Sequence, residues 1–392
     1  MQRGIHIGRI FGIEINLDWS WLLIFALVTW NLGTMFGEFH SEWEFTLQWG
    51  LAVAAALLFF SSVLAHELAH SLVAQARGIP VRSIKLHLFG GVSNIQRDPD
   101  SPGGEFIMAI LGPVTSLLIG FGLLAVVGTV SGTMTGAAQP AEMIANLEPI
   151  PLMLTWLGSV NVILGVFNLI PGFPLDGGRV VRSILWALMD NLRRATLWAA
   201  RMGQAIAWLM IFAGLAMAFG TRIPIFGTGV INGLWLVFIG WFLNTASSQS
   251  YQKVVIQDIL EGVPVERMMR QNPPTVRPDV TIDSLVHDHV MGTDDHAFPV
   301  LENDQLVGII TLEDVRAVNR GNWQTTRARE VMTPLDQLTT VPVDGDAAEA
   351  MNKLSSLDVR QLPVLSGEEL IGVLRRRDII RWLNLESEGV LE

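Results

Sequence analysis

No cysteine occurs among the 392 residues. Disulfides and thiolate metal sites are therefore excluded, and a metal in this chain has to be held by histidine or carboxylate. Charge is scarce as well: 16% of residues are charged, 50% are hydrophobic and the mean hydropathy is +0.41. A soluble domain usually carries about 25% charged residues, so the composition excludes an ordinary soluble protein and fits a membrane protein with a soluble addition. The scarcity is uneven. Residues 1–250 hold 12 Lys and Arg against 13 Asp and Glu, whereas residues 251–392 hold 14 against 24. The acidity belongs to the C-terminal part and argues against nucleic acid as its partner. The leading stretch "MQRGIHIGRIFGIEINLDW" stays polar and charged too long for a cleaved signal peptide, so the first apolar run is expected to be retained.

Apolar runs of about 17–25 residues, the length that crosses a bilayer, fall at roughly 17–34, 49–73, 105–130, 151–171, 203–220 and 229–244. They predict a polytopic α-helical membrane domain of six transmembrane helices over 1–245. The flanks alternate in basic charge. Arg3 and Arg9 precede the first run, and loop 35–48 has no Lys or Arg. Loop 76–104 carries Arg77, Arg82, Lys85 and Arg97, and loop 131–150 carries none. Segment 172–202 holds Arg179, Arg182, Arg193, Arg194 and Arg201, and 221–228 only Arg222. By the positive-inside rule both termini and the acidic tail are cytoplasmic, with the chain in the inner (cell) membrane. The sixth run is the weakest, being short and interrupted by Gly233 and Gly240.

Within "SSVLAHELAHSLVAQ" (61–75), His66, Glu67 and His70 stand at the cytoplasmic end of the second run. Ionisable groups inside a membrane span each cost about 2.5–3.5 kcal/mol on insertion scales, so three together point to function. Residues i and i+4 share one face of a helix. Two imidazoles so placed can bind one Zn²⁺, with Glu67 in reach of a water activated there, the His-Glu-x-x-His pattern of zinc hydrolases. A third ligand is needed. In "FNLIPGFPLDGGRVVRS" (167–183), Asp176 closes the fourth run on the same side, behind helix-breaking Pro171, Gly172 and Pro174, while Gly177 and Gly178 allow close passage of the chain. The plain alternative for Asp176 is a helix N-cap, and His87 is the runner-up ligand. Asn168, at the end of the fourth run, either donates to an oxyanion or substrate backbone or bonds a neighbouring helix.

"HELAH" in one span with "NLIPGFPLDGG" in a later one resembles the site-2 protease family of intramembrane zinc metalloproteases, over residues 1–245. The resemblance implies His66, His70 and Asp176 as ligands of one Zn²⁺ per chain, Glu67 as general base and Asn168 as an aid to substrate or oxyanion binding. It implies cleavage of transmembrane segments of other membrane proteins within the lipid bilayer, by a three-helix core matching spans two to four. No inserted PDZ domain is visible, which implies the CBS-bearing branch. A helix hides its scissile carbonyls in its own hydrogen bonds, so a protease has to unwind it and offer replacement partners. "VRSIKLHLFGGVSNIQ" (81–96) reads as a hairpin turning at Gly90–Gly91, whose edge could take an extended substrate by strand addition; the alternative is a plain loop hairpin.

After a polar linker (246–253 within "NTASSQSYQK") the tail repeats itself. "FPVLENDQLVGIITLEDV" (298–315) matches "LPVLSGEELIGVLRRRDI" (362–379), with Pro299, Gly308 and Asp314 each 64 residues before Pro363, Gly372 and Asp378, and Met268 and Met332 expected in the same register. Each copy reads as strand, turn, strand and helix. This resembles a pair of α/β CBS domains, at 254–320 and 327–386. The resemblance implies an adenine-nucleotide sensor for ATP or AMP that contacts ribose and phosphate through Thr311 and Asp314. Arg375 replaces the matching hydroxyl in the second copy, although Asp378 remains. The alternative for the pair is a dimerisation module, giving a homodimer through the CBS domains. A rival for the whole chain is a CBS-regulated transporter or channel whose His/Glu/Asp cluster carries ions.

Overall fold

Residues 5–17 alternate apolar and polar and form a hairpin, β1 (Ile5–Ile10) and β2 (Ile13–Leu17), turned at Phe11 and Gly12 with φ of 52° and 81°. The hairpin stands where the sequence pattern predicts only a polar leader. In the computed structural model, which describes residues 4–88, 90–130, 147–224, 227–291, 293 and 295–390, β2 pairs in parallel with β3 (Val81–His87), and β3 pairs antiparallel with β4 (Gly90–Ile95). The order is β1-β2-β3-β4, leaving β4 on an edge. Gly90 and Gly91 lie inside β4, opposite His87 and Leu86, so they are strand residues and not the turn expected at them. Ile13, Ile15, Val81 and Ile84 form one buried core with Ala74 and Met108, which seats the sheet on the helices that carry the candidate site.

The chain divides into two compact units, Met1–Gln252 and Lys253–Glu392. Six helices of the first are long and apolar enough to cross a membrane. They are α1 (Trp19–Phe39), α2 (Phe45–Ala76), α3 (Pro102–Val130), α4 (Pro149–Asn168), α6 (Leu192–Ala218) and α7 (Val230–Leu260). A shorter helix, α5 (Asp176–Met189), stands between the fourth and fifth. The expected loop 131–150 lies mostly outside the described residues. Asp18 starts α1 by accepting from the Ser20 amide at 3.0 Å and pairs with Lys85 of β3 at 2.6 Å, which holds its carboxyl well below the usual carboxylate range. At 32 residues α2 is about 48 Å long, more than a bilayer core needs, so its polar end can stand at the membrane boundary. α3 and α4 cross closely at Gly120 and Gly158, the small-residue contact that membrane helices use.

The stretch 246–253 is a linker by composition, yet α7 runs unbroken through it. No glycine or proline interrupts the chain between Gly240 and Gly262, and the serines bond a neighbouring helix. Ser247, fully buried, donates to the Ala200 carbonyl at 2.7 Å, and Gln204 donates to Ser248 at 2.9 Å.

In the second unit each repeat builds a strand pair and a following helix. Ala297–Glu302 pairs with Gln305–Thr311, and Gln361–Ser366 with Glu369–Arg375, each with a register shift after the matching valine, Val300 and Val364. The two pairs join one sheet, with separate apolar cores around Phe298 and Ile310 and around Val364 and Leu374. Short strands cross over between repeats: Thr333–Pro334 lies on the first pair and Arg270–Gln271 on the second. Met332 fills the space at Gly308 and Met269 the space at Gly372. Met332 thus corresponds to Met269, one residue from the expected Met268.

Candidate metal centre

The last third of α2 turns a stripe inward at helical spacing, burying Ser62, His66, His70 and Ala74. Across from it the chain leaves α4, turns through Pro171–Leu175 and enters α5 with Asp176 as its first residue. Leu175 holds the N-cap position, so Asp176 is not the cap that the plain alternative required. Gly177 and Gly178 press so closely on the backbone of 169–173 that a Cβ at either would clash, which fixes how the turn presents Asp176.

The structure brings together three of the residues singled out in the sequence. Asp176 Oδ2 lies 3.1 Å from His66 Nε2 and 3.2 Å from His70 Nε2, and the two imidazole nitrogens are 3.2 Å apart. Among the described residues this is the one group of three His, Asp or Glu side chains with ligand atoms so convergent, all within 4.8 Å. Behind the rings stands α3. His70 Nδ1 contacts the Met108 carbonyl at 2.6 Å, and His66 Nδ1 the Ser116 hydroxyl at 2.9 Å. A carbonyl only accepts, so His70 holds a proton on Nδ1, and its Nε2 is the nitrogen turned toward Asp176, free to act as a ligand in the neutral ring. Two imidazole nitrogens and one carboxylate oxygen converging in this way suit zinc. Gly112, between Met108 and Ser116 on the same stripe, leaves the rings their space: a Cβ there would lie 2.7 Å from His66 Nε2 and press on His70 as well.

Glu67, half-buried beside this group, accepts a hydrogen bond from Ser93 Oγ at 2.7 Å. Ser93 belongs to β4, and Gly91 of the same strand lies so near the Glu67 side chain that a Cβ would displace it. An edge strand therefore runs directly past the carboxylate.

Two other residues are placed elsewhere. Asn168 ends α4 and donates through Nδ2 to the Leu164 carbonyl of its own helix at 3.0 Å. His87 lies in β3 opposite Gly90, outside the convergent group, and burial lowers its pKa. Sequence reasoning missed Ser93, Ser116, Met108 and Gly112. The visible signal was the spacing of Met108, Gly112 and Ser116 by four within an apolar run.

The second unit contains a cleft of about 630 Å³ lined by Thr311, Ile309, Thr333, Val359 and Arg376, among others. Thr311 caps the helix Leu312–Ala317, and Asp314 Oδ2 accepts from both its amide (2.8 Å) and its hydroxyl (2.7 Å). Asp378 is held on both oxygens by Arg375, at 2.6 and 2.8 Å, and this contact raises the Arg375 pKa.

Comparison with known proteins agrees with both halves. The profile of peptidase family M50 matches residues 54–210, and that of the CBS domain matches 265–321 and 328–385. The Mycobacterium tuberculosis protein named zinc metalloprotease Rip3 is 32% identical over 389 residues, covering 98% of this chain and 94% of that one. The Synechocystis protein named zinc metalloprotease sll0528 is 34% identical over 390 residues, covering 99% and 97%. A solved structure of the site-2 protease from Methanocaldococcus jannaschii is 29% identical, covers 63% of this chain and 95% of its own, and superposes with a TM-score of 0.40. The similarity to the two curated proteins runs through the His66–His70 and Asp176 segments into both repeats, and the chain belongs to peptidase family M50, the site-2 protease type of zinc metalloprotease, with a tandem of CBS domains.

Proposed function

We propose that this zinc metalloprotease cleaves transmembrane segments of other membrane proteins, with His66, His70 and Asp176 holding the metal and Glu67 moving the proton. The convergence of the three ligand atoms beside Glu67 carries the reading. Zinc, when bound, would supply Lewis acidity and make water nucleophilic near neutral pH. The chain's own residues do the rest. Met108 and Ser116 orient the imidazoles. Glu67, steered by Ser93, takes a proton from the attacking water as the C–O bond forms. It returns that proton to the amine nitrogen as the C–N bond breaks. Asn168, at the end of α4, would turn from Leu164 to the substrate backbone.

The edge of β4 supplies what a helical substrate lacks once unwound: free N–H and C=O groups in a row, beside the carboxylate that does the chemistry. The alternation of basic flanks supports an orientation with the ligand end of α2, both termini and the CBS tandem in the cytoplasm of a cell membrane. For the tandem, the Thr311 cleft supports adenine-nucleotide binding that modulates the protease.

The test is Glu67→Gln in the full chain, reconstituted with a labelled single-span membrane protein. Zinc content near one per chain with cleavage abolished is the expected result. Undiminished cleavage removes Glu67 from the chemistry, and ion flux through vesicles without any peptide release replaces the protease reading with a transporter.

A further inference from the structure

The repeat gives the Thr311 cleft a counterpart position, a second cleft by symmetry, and the two are not filled alike. Two positions follow from the 64-residue offset, and the strand crossovers add a third. Thr311 in the first cleft corresponds to Arg375 in the second, and Val359 corresponds to Asp295. Thr333, paired with Ile309, corresponds to Arg270, paired with Val373. The first set is neutral and small. The second is charged and closed on itself: Asp295 Oδ1 lies 2.5 Å from Arg270 Nη1, 3.2 Å from Arg375 Nη1 and 3.7 Å from Arg377 Nη2, and Asp295 is only 8% exposed.

We infer that the tandem takes one nucleotide per chain, in the Thr311 cleft, because Asp295 already occupies the anion position of the second cleft. This rests on the nucleotide reading proposed above.

An arginine in the place of a threonine hydroxyl brings a half-buried guanidinium that needs a counter-charge. Asp295, where the first cleft has Val359, provides it. The second cleft thereby loses both features a nucleotide uses. Asp378, the acceptor that would meet a ribose diol, has both oxygens on Arg375. A phosphate brought against the arginines would stand beside a buried carboxylate, and like charges in a poorly solvated place repel strongly.

The first cleft keeps the opposite character. Val359 and Ile309 offer an apolar wall to a base, and Thr311 a hydroxyl. Next to it lies a cavity of about 370 Å³ lined by His296, Arg360, Arg375, Arg376 and Arg377. Arg376 borders both spaces, and its buried Nε has no partner. The phosphates of a nucleotide seated at Thr311 would turn toward Arg376 and Arg360, on the side of that cavity away from the arginines that Asp295 holds.

The experiment counts nucleotide by equilibrium dialysis of radiolabelled ATP, up to millimolar concentration, against the full chain in detergent micelles. One equivalent per chain is expected. Two charge-balanced exchanges then locate it. Thr311→Arg with Val359→Asp writes the closed arrangement into the first cleft and should leave no binding. Arg375→Thr with Asp295→Val writes the open one into the second and should raise the count to two; the thermal midpoint of each variant shows that it is folded. Two equivalents in the unaltered chain overturn the inference and leave nucleotide binding standing. One equivalent retained by the folded first exchange also overturns it, as does no gain in the folded second. No binding by the unaltered chain overturns the nucleotide reading itself.

Discussion

Glu105 and Arg182 are 77 positions apart in sequence and meet as a buried ion pair, with Arg182 Nε 2.6 Å from Glu105 Oε1 and its Nη2 on the same oxygen. Glu105 lies in the first turn of α3, one turn before Met108, which receives His70. Arg182 lies on α5, two turns after Asp176, with its guanidinium 5.4 Å above the Phe173 ring. The pair therefore ties the helix that backs the histidines to the helix that carries Asp176, the proposed third ligand. Breaking a buried pair by removing one partner typically costs about 3–5 kcal/mol, because the other charge stays buried. Glu105→Gln should lower the thermal midpoint of the membrane half and let a chelator strip zinc faster. An unchanged midpoint together with unchanged zinc retention would separate this pair from the site.

Ser116 touches His66, one of the three proposed ligands. Its hydroxyl meets His66 Nδ1 at 2.9 Å, and loss of such an outer partner typically weakens metal affinity by about 10–100-fold. Ser116→Ala should show that weakening in a chelator competition, while Ser116→Thr, which keeps the hydroxyl, should hold zinc as the parent does. Equal affinities for parent and alanine variants would mean that His66 is oriented by packing instead.

Ser93 divides from Ser116 in what it should change. It touches Glu67 and none of the three ligands. A hydrogen bond to a charged group is worth about 1.5–3 kcal/mol. Ser93→Ala should therefore lower kcat by about tenfold or more, with zinc content and KM close to the parent values. A loss of zinc in this variant would show that Ser93 supports the metal instead of the base.

The difference between these serines and the proposed ligands explains what could be read from sequence. His66, Glu67, His70 and Asp176 were legible because charge in an apolar run is costly and the i, i+4 spacing has a chemical meaning. The Met108 carbonyl leaves no trace in a side chain, and Ser116 looks like any small residue of a membrane helix. Ser247 and Ser248 misled in the other direction, since serine reads as linker whether it faces water or bonds Ala200 and Gln204 across a helix contact. The β1–β2 hairpin was hidden because strands of six and five residues carry too short a pattern to stand out. Asp295 stands at the offset of Val359, but nothing in the sequence shows that Arg270, Arg375 and Arg377 converge on it.

The outer edge of β4 yields a prediction that needs no substitution in the protease. Val92, half exposed on this strand, follows Gly91 and precedes Ser93, the two residues that adjoin Glu67. A substrate joined to this edge would use the amides of alternate residues only, since successive N–H groups along a strand point in opposite directions. Two extended peptides of one sequence, N-methylated on odd or on even residues, separate that arrangement from simple apolar binding. In one phase the methyl groups remove the donors facing β4, and inhibition of cleavage should weaken by about tenfold or more, the scale of one or two lost hydrogen bonds. In the other phase the methyl groups point away from the strand and inhibition should persist. Equal potency of the two peptides, or equal loss in both, would show that β4 does not pair with substrate and that its closeness to Glu67 serves only to hold Ser93 in place.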